Sequence, residues 1–91
     1  MEFEYDPLKS LSNEEKHGID FEEAKRLWDD IGMVRFSIDY GGENRWEIIS
    51  RYGGICWTAI YTMRGDRIRI ISVRHSSRKE IKFYDKTNYD R

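Results

Sequence analysis

Three glycine-centred turn signals divide the second half of the chain and constrain its fold more than any other feature. Gly41-Gly42, Gly53-Gly54 and Arg64-Gly65-Asp66-Arg67 each separate two apolar segments. Apolar and polar side chains alternate before the first turn, which is typical of a strand with one buried face. The alternation sets Val34, Phe36 and Ile38 against Arg35, Ser37 and Asp39. Because tight turns join antiparallel neighbours, the pattern predicts a four-stranded antiparallel meander.

The later strands of this meander follow from the same alternation. Trp46 and Ile48 belong to the second strand, and residues 55–62 are apolar enough to form a central strand. On the last strand we expect two alternating sets of side chains. These sets are Ile68, Ile70 and Ser72 on one face, and Arg69, Ile71 and Val73 on the other.

The first third of the chain has helix signals and one short strand. Phe3 and Tyr5 alternate with acidic residues, which predicts a half-buried strand. Asp6-Pro7 is a typical helix start, and Gly18 is a typical helix end. Leu8 and Leu11 offer this first helix a narrow apolar stripe.

Two further helices begin at capping signals. Asp20, followed three residues later by Glu23, starts a helix that ends at Asp29-Asp30. Its predicted buried face consists of Phe21, Ala24, Leu27 and Trp28. Ser77 with Glu80 has the same spacing and opens a basic third helix, with Ile81 and Tyr84 on one side. The last residues, 86–91, are polar and are expected to fray.

The order of elements predicts an α+β fold: a short N-terminal strand, two helices, the antiparallel four-stranded meander and a C-terminal helix. The 91 residues are expected to form a single domain with one core. Cys56 is the only cysteine, no apolar segment is long enough to cross a bilayer, and the N-terminus has no signal-peptide pattern. We therefore expect a cytoplasmic protein without membrane contact.

Charge is distributed very unevenly along the chain. The net charge is only −1, but residues 1–33 contain ten acids and four bases, whereas residues 64–91 contain nine bases and four acids. Such asymmetry indicates a polyanion-binding surface at the basic end. Alternatively, the two charged ends pair with each other. A strand that carries charges to prevent edge-to-edge aggregation gives a similar pattern.

The residues that often carry chemistry are sparse. Cys56 lies in an apolar strand, no serine has a nucleophile-elbow context, and His17 and His75 lack carboxylates at metal-ligand spacing. No metal or cofactor is therefore expected. Phosphate recognition by arginine leaves two classes of function: a binding protein, or a nuclease in which RNA supplies its own nucleophile.

Several short motifs together resemble the BrnT family, the toxins of type II toxin-antitoxin systems. They are Phe3-Glu4-Tyr5-Asp6-Pro7, Asn13, Lys16-His17-Gly18-Ile19, Phe21-Glu22-Glu23-Ala24, Gly42-Glu43 with Arg45, Tyr61-Thr62 with Arg64, Ile68 to Ser72 with Arg74, and Glu80 with Tyr84. The resemblance extends from Phe3 to Tyr84. It implies a RelE-like fold, ribonuclease activity that inhibits translation, and neutralisation by a BrnA-type antitoxin. That antitoxin has a ribbon-helix-helix part, so contact with DNA is expected only through it.

Metal-independent RNA cleavage needs an activated 2′-OH, stabilisation of the phosphate and protonation of the leaving oxygen. We expect Arg64 and Arg74 to clamp the phosphate. The candidates for proton transfer are His17, His75 and Tyr84. Of these, we predict His17 and Tyr84 as catalytic residues. The supporting RNA-binding residues are expected to be Arg45, Arg67, Arg69, Arg78, Lys79 and Lys16.

Two of the residues considered for proton transfer also have structural explanations. His17 lies where a cation favourably ends a helix, and Glu80 is either a base or the reciprocal partner of the Ser77 cap. Trp46 is a possible stacking surface for RNA bases. The alternative function for the whole chain is a non-catalytic RNA-binding or protein-interaction module that uses the basic face of the sheet.

Overall fold

The computed structural model describes all residues from Met1 to Arg91. Three α-helices, one 3₁₀ turn and a five-stranded sheet make up the chain, and their order confirms the predicted α+β fold. The elements are β1 (Glu2–Glu4), α1 (Pro7–His17), α2 (Phe21–Ala24), the 3₁₀ turn (Lys25–Asp29), β2 (Val34–Tyr40), β3 (Glu43–Tyr52), β4 (Ile55–Arg64), β5 (Arg67–His75) and α3 (Arg78–Tyr89).

The sheet has the strand order β1-β5-β4-β3-β2. The four strands from β2 to β5 form the predicted antiparallel meander. β1 adds a fifth strand, which runs parallel to β5 and pairs with it through Phe3 and Ile68. Because β1 is only three residues long, it covers the outer edge of β5 from Arg67 to Arg69 and leaves the rest for another element.

The main core lies between one face of the sheet and the elements before β2. It contains buried residues from the α2 region and from the three central strands. These residues are Ile19, Phe21, Ala24, Leu27, Ile48, Trp57, Ala59, Tyr61, Ile68, Ile70 and Val73. Asp20 caps α2 through the Glu23 N–H as predicted, but the second helix is one α-turn followed by a 3₁₀ turn. None of the helices has the length and apolar character needed to span a bilayer.

The apolar stripe predicted for α1 is wrong. Leu8 and Leu11 are 75% and 58% exposed, whereas Ser10 and Asn13 are buried. The Asn13 amide donates to the Ile19 carbonyl, and its side-chain oxygen accepts the Val73 N–H at 3.1 Å. The buried side of α1 is polar because the helix lies along the part of β5 that β1 does not cover, where free backbone N–H groups need acceptors.

The predicted alternation along β5 is also wrong beyond Ile70. Tyr61 pairs with Ile70, but Ile60 pairs with Ser72, so Ile71 is an extra residue in a β-bulge. The bulge reverses the facing of all later side chains. Val73 therefore joins Ile68 and Ile70 in the core, and Ser72 turns to the opposite face.

α3 starts at the predicted capping box of Ser77 and Glu80. Ile81 and Tyr84 pack together against Val34, Ile49 and Cys56 in a second, smaller core. The helix continues to Tyr89, and near its end the side-chain amide of Asn88 donates to the Gly32 carbonyl at 2.9 Å.

Candidate functional site

The sheet face opposite the main core is covered by a helix only at one end. α3 packs there over Val34, Ile49 and Cys56. The remainder, which we call the open face, contains alternate side chains from all four meander strands. Its residues are Phe36, Ile38, Tyr40, Arg45, Glu47, Ile60, Thr62, Arg64, Arg67, Arg69, Ser72 and Arg74.

Arg74 reaches the open face because of the bulge at Ile71. With unbroken alternation, Arg74 would share a face with Ile68 and Ile70 and point into the main core. The extra residue instead turns it to the face that carries Arg67 and Arg69. A strand irregularity thus gives β5 a basic side along its whole length.

Glu80 fixes the guanidinium of Arg74 in a two-point ion pair. Arg74 Nη1 and Nη2 donate to Glu80 Oε1 and Oε2 at 2.8 and 3.0 Å. Glu80 also accepts from Thr58 and from the Ser77 N–H. The pairing with Arg74 lowers the Glu80 pKa to about 2, and the Ser77 N–H and Thr58 hydroxyl contribute further. Glu80 is therefore a fixed anion that positions Arg74, and it has little capacity to take up a proton near neutral pH.

Glu47 is the second carboxylate of this region. Its strand partners Phe36 and Ile60 are both uncharged. Burial raises the pKa of Glu47, and the negative charge of Glu80 raises it further, while Arg74 acts in the opposite direction. Glu47 and Glu80 thus form a pair of interacting carboxylates beside one arginine, with opposite shifts in pKa.

The remaining arginines of the hairpin formed by β4 and β5 occupy the rest of the open face. Arg69 donates to Glu4 of β1 at 2.8 Å, and Arg67 is exposed at the turn. Arg64 pairs with Arg67, whereas Arg74 pairs with Thr58. Six residues of β4 separate these pairs, about 20 Å at the usual strand rise of roughly 3.3 Å per residue. The two predicted phosphate clamps therefore lie on strand positions at opposite ends of the open face.

Arg45 lies on β3 near the turn with β2. Its guanidinium is 4.3 Å from the ring centroid of Tyr40 and 3.1 Å from Glu43. Trp46, the next residue, faces the helix side of the sheet, where the guanidinium of Arg35 lies 5.1 Å from its ring centroid. Trp46 is therefore half-buried on the helix side of the sheet, whereas Tyr40 is an exposed aromatic ring on the open face.

A polar cleft of about 390 Å³ lies between α1 and the bulged part of β5. We call it the α1 cleft; it is lined by Lys9, Ser12, Asn13, Lys16, His17, Ile71 and Ser72. Lys16 and His17 are both exposed there. Ser72 belongs to the cleft and to the open face, so the bulge connects the two surfaces.

Two candidates for proton transfer lie away from the open face. Tyr84 is buried in the smaller core, and its hydroxyl donates to Asp30 at 2.8 Å. Burial and this hydrogen bond raise its pKa to about 12. His75 follows Arg74 on the opposite face, with its ring centroid 4.5 Å from that of Trp57.

The family comparison adds an independent finding to this geometry. Residues 5–80 match the family model described as ribonuclease toxin, BrnT, of type II toxin-antitoxin system. The chain belongs to the BrnT family. No curated protein matches the sequence. A BrnT toxin is a ribonuclease with an RNA substrate and a protein antitoxin as its partner.

The matched range of this BrnT chain includes Glu47, Arg74 and Glu80 and ends near the start of α3. Of these three residues, sequence patterns identify Arg74 and Glu80 but not Glu47. The sequence contains one signal for the position of Glu47: it alternates with Arg45 and Ile49 and therefore lies on the same side of β3. A single acidic residue in an alternating strand is usually exposed to solvent, which is why it gave no indication of function.

Proposed function

We propose that this BrnT toxin is a metal-independent endoribonuclease that cleaves RNA on the open face and thereby inhibits translation. The observation that supports the proposal most strongly is the arrangement of Arg74, Glu80 and Glu47. A rigidly held cation lies beside one carboxylate with a low pKa and one with a raised pKa. When the pKa values of two neighbouring carboxyl groups are shifted in opposite directions, one group typically stabilises charge and the other transfers a proton.

Arg74 is the proposed phosphate-binding group. An arginine has five N–H donors; Glu80 occupies one on each terminal nitrogen, and Nη1 also donates to the His75 carbonyl at 3.3 Å. The side chain is 43% exposed, and the two donors that are left, one on Nε and one on Nη2, are proposed to contact the phosphate. Charge-assisted hydrogen bonds from these donors stabilise the additional negative charge of the pentavalent phosphate.

Glu47 is the proposed general base. Its carboxylate takes the proton of the ribose 2′-OH while the 2′ oxygen attacks the phosphorus. A 2′,3′-cyclic phosphate forms, the bond from phosphorus to the 5′ oxygen breaks, and a water molecule protonates that oxygen. The resulting hydroxide then removes the proton from Glu47. A carboxylate with a raised pKa is suited to this step because its basicity is closer to neutral pH.

The other cations are proposed to bind the RNA backbone on either side of the cleaved phosphate. Arg69, Arg67 and Arg64 follow one another along the open face towards the hairpin turn. Lys16 and His17 line the α1 cleft, which meets the open face at Ser72. Arg45, Arg78 and Lys79 are proposed as further RNA contacts. The role of His17 in proton transfer stays a prediction, and Tyr84 is not part of this mechanism.

The proposed antitoxin is of the BrnA type, with a ribbon-helix-helix part that binds DNA. The toxin itself needs no DNA-binding surface in this arrangement, because the antitoxin supplies it.

Cleavage of a defined RNA by the purified toxin in buffer with EDTA tests the proposal. Arg74→Ala should reduce kcat by about 10²- to 10³-fold, as expected when an electrostatic contact to the transition state is removed. Arg26→Ala is the matched control, because Arg26 is an exposed arginine on the 3₁₀ turn with a single ion pair, to Asp29. Circular dichroism should show both variants folded.

Two results would count against this mechanism. One is intact RNA after incubation with the wild-type protein, with binding that weakens as salt increases; it would support the non-catalytic binding module. The other is full activity of Arg74→Ala, which would remove Arg74 from the mechanism.

A further inference from the structure

A second concave surface lies beside the proposed catalytic residues. This α3 groove has a volume of about 380 Å³ and lies between α3 and strands β2 and β3. It is lined by Val34, Arg35, Phe36, Ile49, Lys79, Glu80 and Phe83. Phe36 and Phe83 meet edge to face at 6.1 Å and remain 37% and 49% exposed. Large apolar groups left exposed at the wall of a groove are typical of a protein-binding surface.

Positive charge flanks the α3 groove on its helix side. Lys79 lines the groove, and Arg78 and Lys82 are exposed on the same helix. None of these three cations is in a salt bridge, although six other bases of the chain are. A ligand that is complementary to this surface therefore has an apolar side and several carboxylates.

Because the chain is a BrnT toxin, the expected protein ligand is its antitoxin. A type II toxin is neutralised by a protein antitoxin, and an antitoxin segment that covers the proposed catalytic residues would exclude RNA. We propose that the α3 groove is the docking site of an acidic, amphipathic segment of the antitoxin. This inference rests on the proposed toxin function.

Occupation of the α3 groove explains inhibition directly. Glu80 lines the groove and also holds Arg74 in place. Phe36, at the groove wall, is the strand partner of Glu47. A segment seated against Phe36 and Phe83 therefore covers the approach to both Arg74 and Glu47. Its carboxylates occupy the same cations that an RNA phosphate would contact, so the two ligands exclude each other.

The segment is expected to dock as a helix rather than as an added strand. The lining side chains come from a helix on one side and a sheet on the other, and such a groove accepts apolar residues at helical spacing. In contrast, the acidic α2 region carries Glu22 and Glu23 on the far side of the sheet and would repel the same segment.

Phe83→Glu tests this inference, because it places a negative charge on the apolar wall. The probe is the purified protein encoded by the reading frame next to that of the toxin, and binding is measured by calorimetry. Affinity should fall by roughly 30-fold or more, as for loss of a central interface residue. Tyr89→Glu is the matched control: it makes the same kind of change on the same helix, at an 89% exposed aromatic residue outside the groove. It should leave the affinity unchanged.

Activity measurements separate this inference from the proposed function. Without the probe protein, Phe83→Glu should cleave RNA as the wild type does. If the wild type cleaves no RNA but Phe83→Glu still has reduced affinity for the probe protein, the catalytic proposal fails and the docking site stands. Phe83→Ala repeats the test with a milder change if Phe83→Glu has a lowered Tm.

Three results would overturn the docking site. One is unchanged affinity of both Phe83 variants for the probe protein. The second is equal loss of affinity in Tyr89→Glu. The third is a wild-type dimer that Phe83→Glu converts to a monomer while affinity for the probe protein stays the same, since the groove would then bind a second copy of the chain.

Discussion

Arg74 and Glu80 are joined through both terminal nitrogens and both carboxylate oxygens, at 2.8 and 3.0 Å. The two residues come from β5 and from the first turn of α3. Because Glu80 also completes the capping box with Ser77, the same carboxylate starts the helix and orients the arginine. The position of the proposed phosphate-binding group thus depends on correct formation of the helix N-terminus.

Glu80→Gln should weaken both stability and catalysis. Loss of the charged hydrogen bonds to Arg74 should lower the free energy of unfolding by about 1 to 2 kcal/mol near neutral pH. The folded-state pKa of Glu80 is about 2, below the usual value of about 4.3. The contribution of Glu80 to stability is therefore present above about pH 4.3 and is lost as the pH falls towards about 2. Urea denaturation of wild type and variant at several acidic pH values measures the effect.

The difference in stability between wild type and Glu80→Gln should therefore shrink as the pH decreases. A difference that stays constant across this range would show that the ionised Glu80 carboxylate does not stabilise the fold. Glu14→Gln provides a control, because Glu14 is an exposed acidic residue of α1 without an ion pair.

Glu47→Gln should reduce kcat with little effect on RNA affinity. Removal of a general base typically costs about 10²- to 10⁴-fold in rate. In the wild type, activity should increase as the pH rises through the Glu47 pKa, which burial and Glu80 hold above its ordinary value while Arg74 opposes them. Arg45 lies two residues away on the same face of β3. The acidic limb of the pH profile should be absent in the variant.

Single-turnover cleavage rates and equilibrium binding, each measured against pH, test the role of Glu47. Glu15→Gln is a suitable control, since Glu15 is exposed on α1 and does not line the α1 cleft. A retained acidic limb in Glu47→Gln would assign that limb to another group, and an equal loss of binding and rate would indicate a structural role.

Most of the fold was predictable because its signals are local. The glycine turns at Gly41-Gly42 and Gly53-Gly54, the Asp20 cap and the Ser77 capping box each act within a few residues. The bulge at Ile71 was not predictable, since an apolar residue there is compatible with unbroken alternation. It becomes evident only from the pairing of β5 with β4.

The proposed site was harder to predict from the sequence, because it depends on contacts between segments that are distant along the chain. The pKa of Glu47 is set by burial and by Glu80, a residue of α3. The polar side of α1 is buried because β1 is too short to cover β5. Single-residue patterns identify the types of side chain that bind phosphate, but they do not show which of them share a surface.

Asn13→Ala should destabilise the fold strongly. The side chain is buried, and it satisfies the Ile19 carbonyl and the Val73 N–H together. Its removal leaves two buried backbone groups without partners, at a cost of about 1 to 3 kcal/mol for each. Asn13→Asp keeps the acceptor for Val73 but loses the donor to Ile19, so its free energy of unfolding should lie between those of wild type and Asn13→Ala. Equal stability of all three proteins in urea would contradict this assignment.

Tyr84→Phe distinguishes a structural from a catalytic tyrosine. The hydroxyl donates to Asp30 at 2.8 Å, and Asp30 also accepts the backbone N–H groups of Arg51 and Gly32. Removal of this one donor should lower the free energy of unfolding by about 1 kcal/mol and leave kcat for RNA cleavage within about twofold of the wild-type value. A large loss of kcat without a loss of stability would instead restore Tyr84 to the catalytic residues.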